Sequence, residues 1–126
     1  MTLVLDAGAL IALERGDREM WIRLEAERRA GEPPVTHGGV VAQVWRGGRD
    51  RQVSLARALA GVEVVPLDDE LGRRAGVLLG GARMTDAVDA AVALLAADDD
   101  RIVTSDPEDL RRLVLAGGRH VDVIAV

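Results

Sequence analysis

The chain has 126 residues, enough to bury a hydrophobic core in one domain without disulfides or a structural metal. It contains no cysteine, which excludes disulfides, zinc–thiolate sites and thiol nucleophiles and fits a reducing cytoplasm. Sixteen arginines, no lysine and 21 acidic residues give a net charge of −5. Any nucleic-acid-binding role must therefore come from a local arginine cluster.

Membrane insertion and secretion are not predicted. No apolar run approaches the roughly 20 residues that cross a bilayer. The N-terminus also lacks a basic region followed by an apolar stretch, so no secretory signal is expected. We predict one domain over residues 1–126, located in the cytoplasm.

In chain order, short apolar runs alternate with segments of helical periodicity. Strands are predicted at residues 2–6, 35–36, 62–66, 102–103 and 121–125. Helices are predicted between Asp6 and Gly16 and over residues 18–30, 39–46, 50–60, 69–79, 86–97 and 107–115. Gly80-Gly81 is predicted to form a loop, and Asp98-Asp99-Asp100 a solvated acidic turn.

This alternation predicts an α/β fold, a three-layer α/β/α sandwich with a short, mainly parallel sheet. The core must be built from Leu, Val, Ile and Ala, because the chain has two tryptophans and no phenylalanine or tyrosine. Ligands of such folds bind beyond the carboxyl ends of the strands. Asp6 and Asp106 each follow a predicted strand and are expected at that edge.

Four aspartates are the candidate functional residues: Asp6, Asp86, Asp89 and Asp106. Each could simply cap or open a helix. However, Asp86 and Asp89 are three residues apart on one face of a helix that is otherwise apolar. Carboxylates gathered at one sheet edge repel one another unless a divalent cation lies between them. The sequence therefore predicts a metal site.

Other chemistries have little support. Without lysine there is no phosphate-binding loop of the Gly-x-x-x-x-Gly-Lys type, and Gly38-Gly39 and Gly47-Gly48 lack dinucleotide-binding spacing. His37 and His120 are isolated histidines, which are more often core or surface residues than ligands. An aspartate-based phosphotransfer domain would need a late lysine, and the haloacid type also an acid where this chain has Gly8.

The order of four motifs resembles the PIN domain, in particular the small bacterial VapC toxins of toxin–antitoxin pairs. The motifs are Asp6, the Val41–Arg46 helix, Thr85–Ala91 and Thr104-Ser105-Asp106. The resemblance covers residues 2 to about 125. It implies an endoribonuclease that cleaves RNA with a water activated by Mg²⁺ or Mn²⁺. It also implies a homodimer and a VapB-like antitoxin, whose basic segment would suit the acidic cleft.

Carried over by position, the resemblance implies that Asp6, Asp86 and Asp106 are catalytic and bind metal, with Asp89 as a further ligand. Asp109 is an outer-shell candidate, and so is Gln43, which stands where the family pattern has glutamate. An amide offers an oxygen but neither charge nor proton acceptance. Two interpretations stay open: an active ribonuclease, or a catalytically weakened PIN-like domain that acts as a binding module.

Three arginines follow the helix that carries Gln43: Arg46, Arg49 and Arg51. They could contact RNA phosphates or form a solvated charged loop. Because the chain has few aromatic residues, base stacking is expected to contribute little to recognition.

Overall fold

A computed structural model describes residues 1–48 and 52–126. Its sheet has five strands in the order β3-β2-β1-β4-β5. They are β1 (Leu3–Leu5), β2 (Val35–His37), β3 (Glu63–Val65), β4 (Arg101–Thr104) and β5 (Asp122–Ala125). All four pairings are parallel, and Val4 of β1 lies between Val35 of β2 and Ile102 of β4.

Seven helices connect the strands within the described ranges. They are α1 (Ala7–Glu14), α2 (Arg18–Arg29), α3 (Gly38–Val44), α4 (Val53–Leu59), α5 (Asp69–Ala82), α6 (Ala87–Leu95) and α7 (Pro107–Ala116). None of the helices in these ranges has the length and hydrophobicity that a bilayer-spanning segment requires.

The helices pack in two groups. Helix α1 contacts α2, α3 and α4, whereas α5, α6 and α7 contact one another. This is the arrangement of a sheet covered on both faces and confirms the predicted α/β/α architecture. The chain runs outward from β1 to β2 and β3, then crosses to β4 and β5 on the other side. The carboxyl ends of β1 and β4 therefore border the topological switch point, where open α/β sheets bind ligands.

The core consists of leucine, valine, isoleucine and alanine with one methionine, as the composition predicts. Strand β1 is almost fully buried, as are Ile102 and Val103 of β4, which is typical of parallel strands covered on both faces. The two tryptophans lie at the edge of the hydrophobic core. The indole N–H of Trp21 donates to the Leu13 carbonyl at 3.0 Å, and Trp45 is 42% exposed.

Helix α5 runs through Gly80-Gly81, so the predicted loop there is wrong. The helix ends at Arg83, which adopts a left-handed conformation with φ of 56°. Leu71, Ala75 and Leu78 bury one face of α5 in the core. This packing outweighs the low helix propensity of glycine.

The acidic turn before β4 also differs from the prediction, because Asp100 is not solvated. It is only 9% exposed. Its carboxylate accepts hydrogen bonds from the backbone N–H groups of Thr2 at 2.7 Å and Ala97 at 2.9 Å. Asp100 thus joins the N-terminus to the start of β4 and has a structural role.

Candidate metal centre

Asp6 lies directly after β1 and caps α1, where its carboxylate accepts a hydrogen bond from the Ala9 N–H at 3.2 Å. The side chain is buried, with 5% exposure. Burial raises the pKa of Asp6, and hydrogen bonds from the Thr104 hydroxyl and nearby backbone amides oppose this shift only in part. The site therefore contains a carboxylate held rigidly in a poorly solvated position.

Thr104, the last residue of β4, joins the two strand ends. Its fully buried hydroxyl donates to the Asp6 carboxylate and accepts a hydrogen bond from the Asp106 N–H at 2.9 Å. The strand register explains this contact. Leu5 lies opposite Val103, so the residues that follow them, Asp6 and Thr104, are also neighbours. In the sequence, Thr104 stands out only as part of the Thr104-Ser105-Asp106 motif, and no role was expected for it. The available signal was a hydroxyl residue two positions before a candidate acid.

Helix α6 contributes two aspartates from its first turn. Asp86 is an exposed N-cap that accepts a hydrogen bond from the Asp89 N–H at 3.0 Å. Asp89 is half-buried, and burial followed by the charges of four other aspartates raises its pKa to about 6. Those four are Asp86, Asp6, Asp106 and Asp109. Acidic groups from α6, α7 and the end of β1 therefore act on one carboxylate.

Helix α7 brings Asp106 and Asp109 to the same place. The carboxylate oxygens of Asp89, Asp106 and Asp109 lie within 4.8 Å of one another. Desolvation and the neighbouring Asp109 carboxylate raise the pKa of Asp106. The exposed Asp106 side chain makes no capping hydrogen bond in α7. Asp109, expected in an outer shell, thus lies within the tightest group of acids, while Asp6 and Asp86 lie outside that group.

This donor set fits a hard divalent cation. Two oxygens that bind one ion at about 2.0–2.6 Å are at most about 5 Å apart, which the 4.8 Å limit satisfies. Carboxylate oxygens suit Mg²⁺ or Mn²⁺. In residues 1–48 and 52–126, no arginine forms an ion pair with any of the five aspartates. Within those residues, no cationic side chain therefore offsets this negative charge through an ion pair.

The remaining candidate residues, for the metal site and for RNA contacts, lie in helix α3 or directly after it. Gln43 is exposed in the last turn of that helix. The Arg46 guanidinium is exposed, and it donates to the carbonyls of Ala42 at 3.0 Å and Trp45 at 2.9 Å at the end of α3. The predicted RNA contacts Arg49 and Arg51 lie outside the described residues.

The two histidines have different environments. His120 is exposed, whereas His37 at the end of β2 is completely buried. Desolvation lowers the pKa of His37, and its hydrogen bond to the Val88 carbonyl opposes that shift in part. His37 is therefore a core residue that reaches the helix carrying Asp86 and Asp89. Nothing in the local sequence indicates this contact.

A solved structure with the same fold is VapBC2 from Rickettsia felis, bound to a DNA fragment from their promoter. A chain of that structure matches with a TM-score of 0.72, covering 98% of both chains at 14% sequence identity. At this identity the likeness establishes the fold alone, and the chain shares the predicted α/β fold with a chain of that VapBC complex. No family model and no curated protein matches the chain.

Proposed function

We propose that this chain is a VapC-like toxin, a cytoplasmic endoribonuclease that depends on Mg²⁺ or Mn²⁺ and is paired with a VapB-like antitoxin. The observation that carries the proposal is the convergence of five aspartates beside the switch point of a PIN-like sheet. The likeness to VapBC2 supports the antitoxin partner. We further propose a homodimer, on the family resemblance alone.

The proposed metal set is Asp6, Asp86, Asp89 and Asp106. Asp109 is added because its carboxylate lies within 4.8 Å of those of Asp89 and Asp106. When bound, the cation lowers the pKa of a water and offsets negative charge on the phosphodiester. The Asp6 carboxylate has a fixed position, because Thr104 and the Ala9 amide hold both of its oxygens. Exposed Asp86 and Asp106 leave the group open to solvent, as entry of an RNA backbone requires.

Substrate contacts are proposed for Arg46, Arg49 and Arg51. Such contacts would go to RNA phosphates and contribute affinity rather than base specificity. The exposed Arg46 side chain already lies against two carbonyl groups at the end of α3, so a phosphate would have to replace those bonds.

The experiment that tests the activity is cleavage of a pool of structured RNAs by the purified protein with Mn²⁺, Mg²⁺ or EDTA. We expect cleavage with either metal and none with EDTA. Asp6→Asn should reduce the rate at least about 100-fold, because it removes a fixed anionic group of the site. Asp122→Asn is the matched control, since Asp122 is exposed at the start of β5, at the opposite end of the sheet.

Metal-stimulated cleavage by Asp6→Asn at the wild-type rate would refute the role of Asp6. If the folded wild-type protein cleaves with neither metal, the binding-module interpretation is favoured. Gln43 is the residue that supports that alternative, because its amide brings no charge.

Replacing Gln43 with glutamate tests whether the amide limits the site. If position 43 faces the metal, Gln43→Glu should tighten Mn²⁺ binding and speed cleavage, since it restores an anionic ligand. Equal Mn²⁺ affinity in the two proteins, measured by titration calorimetry, would show that this position does not contribute to the metal site.

A further inference from the structure

His37 makes two hydrogen bonds that determine its protonation state. Its Nδ1 accepts from the Gly39 N–H at 3.0 Å, capping α3, so this nitrogen carries no proton. Its Nε2 lies 3.0 Å from the Val88 carbonyl oxygen and must be the donor in that pair. The ring is therefore neutral, in the Nε2–H form, and completely buried.

The acceptor of that bond lies between two of the candidate metal ligands. Val88 is in the first turn of α6, flanked by the N-cap Asp86 and by Asp89. A helical carbonyl has a second lone pair beyond its intrahelical bond, and the imidazole uses it. His37 thus connects the first turn of α6 to the junction of β2 and α3.

This connection lies where the acidic residues oppose close packing. The Asp89 carboxylate is repelled by Asp6 at the sheet edge and by Asp106 and Asp109 from α7. These forces favour movement of the first turn of α6 away from the sheet edge. A rigid hydrogen bond from the core resists that movement.

We propose that His37 is a positioning residue that holds the first turn of α6, and with it Asp86 and Asp89, against the sheet. The two hydrogen bonds of His37 support this positioning role. Its consequence for metal binding rests on the proposed function, because it requires that Asp86 and Asp89 hold the cation.

The His37→Asn variant tests the two hydrogen bonds of the imidazole ring separately, because it should keep the bond to Gly39 and lose the bond to Val88. An asparagine at an N-cap still accepts a hydrogen bond from the helix N-terminus, so α3 stays capped. Its side chain is shorter than imidazole and does not reach Val88. The variant should therefore fold, lose the connection to α6 and leave α3 intact.

Hydrogen exchange and Mn²⁺ titration on the full chain measure the effect. In metal-free His37→Asn, the amides of Ala90 and Ala91 should exchange about 10-fold faster relative to those of α7. A general loss of stability would instead speed exchange in both helices alike. The Kd for Mn²⁺ should rise about 10-fold, as for other residues that orient metal ligands.

Two glycine variants give a second test that leaves His37 in place. A Cβ at Gly39 would lie 2.8 Å from the His37 ring carbon Cε1 and 2.9 Å from Leu67 Cδ2, so Gly39→Ala crowds the ring. A Cβ at Gly38 has its nearest neighbour at 3.9 Å, an ordinary contact. Gly39→Ala should reproduce the exchange and affinity changes, and Gly38→Ala should not.

The outcomes separate the inference from the proposed function. Unchanged relative exchange in α6 of both His37→Asn and Gly39→Ala would overturn the positioning role. Failure of the wild-type protein to bind Mn²⁺ would overturn the proposed function, while the exchange experiment would still test the role of His37. Faster exchange with an unchanged Kd would limit that role to structure and refute its link to metal binding.

Discussion

The Asp89 carboxylate experiences both burial and repulsion, which together raise its pKa to about 6. In the metal-free protein, the native state therefore binds a proton at the Asp89 carboxylate more tightly than the unfolded chain does. The contribution of Asp89 to stability is fully present below about pH 4 and is lost as the pH rises through about 6. Above that pH the ionised side chain destabilises the fold.

Asp89→Asn should consequently stabilise the metal-free protein at pH 7.5. We expect the free energy of unfolding in EDTA to rise by about 1 kcal/mol, after allowance for solvent screening of this half-buried group. The gain should vanish near pH 4. Urea unfolding at both pH values measures it, with Asp122→Asn as a surface control. A destabilised variant at pH 7.5 would contradict the repulsion that the structure indicates.

At the scale of secondary-structure elements, the turn from β1 into α1 is packed tightly against the turn from β4 into α7. A Cβ on Gly8 would overlap the Ser105 hydroxyl oxygen and would lie 2.5 Å from the Ser105 Cβ and 2.9 Å from its backbone nitrogen. Only a residue without a side chain allows this approach. The close contact keeps Asp6 and Thr104 within hydrogen-bonding distance across the two strand ends.

Gly8→Ala should therefore separate these turns and destabilise the protein by about 1–3 kcal/mol, since backbone and a strand-end residue must move. Gly76→Ala is the contrasting control, because a Cβ there meets nothing within 4 Å in the interior of α5. That substitution should stabilise by about 1 kcal/mol through helix propensity. Thermal or urea unfolding of both variants tests this, and a neutral Gly8→Ala would contradict the tight contact.

At the scale of the whole molecule, strand order concentrates negative charge. The net charge is −5, and five aspartates from distant parts of the sequence converge near the ends of the central strands β1 and β4. A cation that binds these carboxylates would relieve their repulsion and stabilise the native state by mass action.

Mn²⁺ should raise the Tm of the wild-type protein at pH 7.5. At a Mn²⁺ concentration 100 times its Kd, the free energy of unfolding should rise by about 2.7 kcal/mol. At pH 5.5, below the pKa of about 6 of Asp89, protons compete with the metal and the increase should be smaller. Differential scanning calorimetry measures both values. A Tm increase of equal size at the two pH values, or in Asp89→Asn, would argue against metal binding at Asp89.

Much of the fold could be predicted because its signals are local. Buried parallel strands give continuous apolar runs such as Leu3–Leu5, and Asp-Pro at 106–107 begins α7 as helix-start preferences predict. Predictions that depended only on a glycine pair or a run of acidic residues were less accurate. Gly80-Gly81 remained helical because α5 packs its other face in the core, and Asp100 became buried because the N-terminal strand lies beside it.

By itself the sequence determined the alternation of strands and helices, the α/β fold class and the acidic residues at strand ends and helix starts. Only the tertiary structure decided that Asp109 lies with Asp89 and Asp106, that Thr104 bridges Asp6 and Asp106, and that His37 reaches Val88. The physical reason is the distance along the sequence over which each kind of interaction acts. Propensity and periodicity act over a few residues, whereas these contacts join positions far apart in the chain and depend on strand order, register and helix packing.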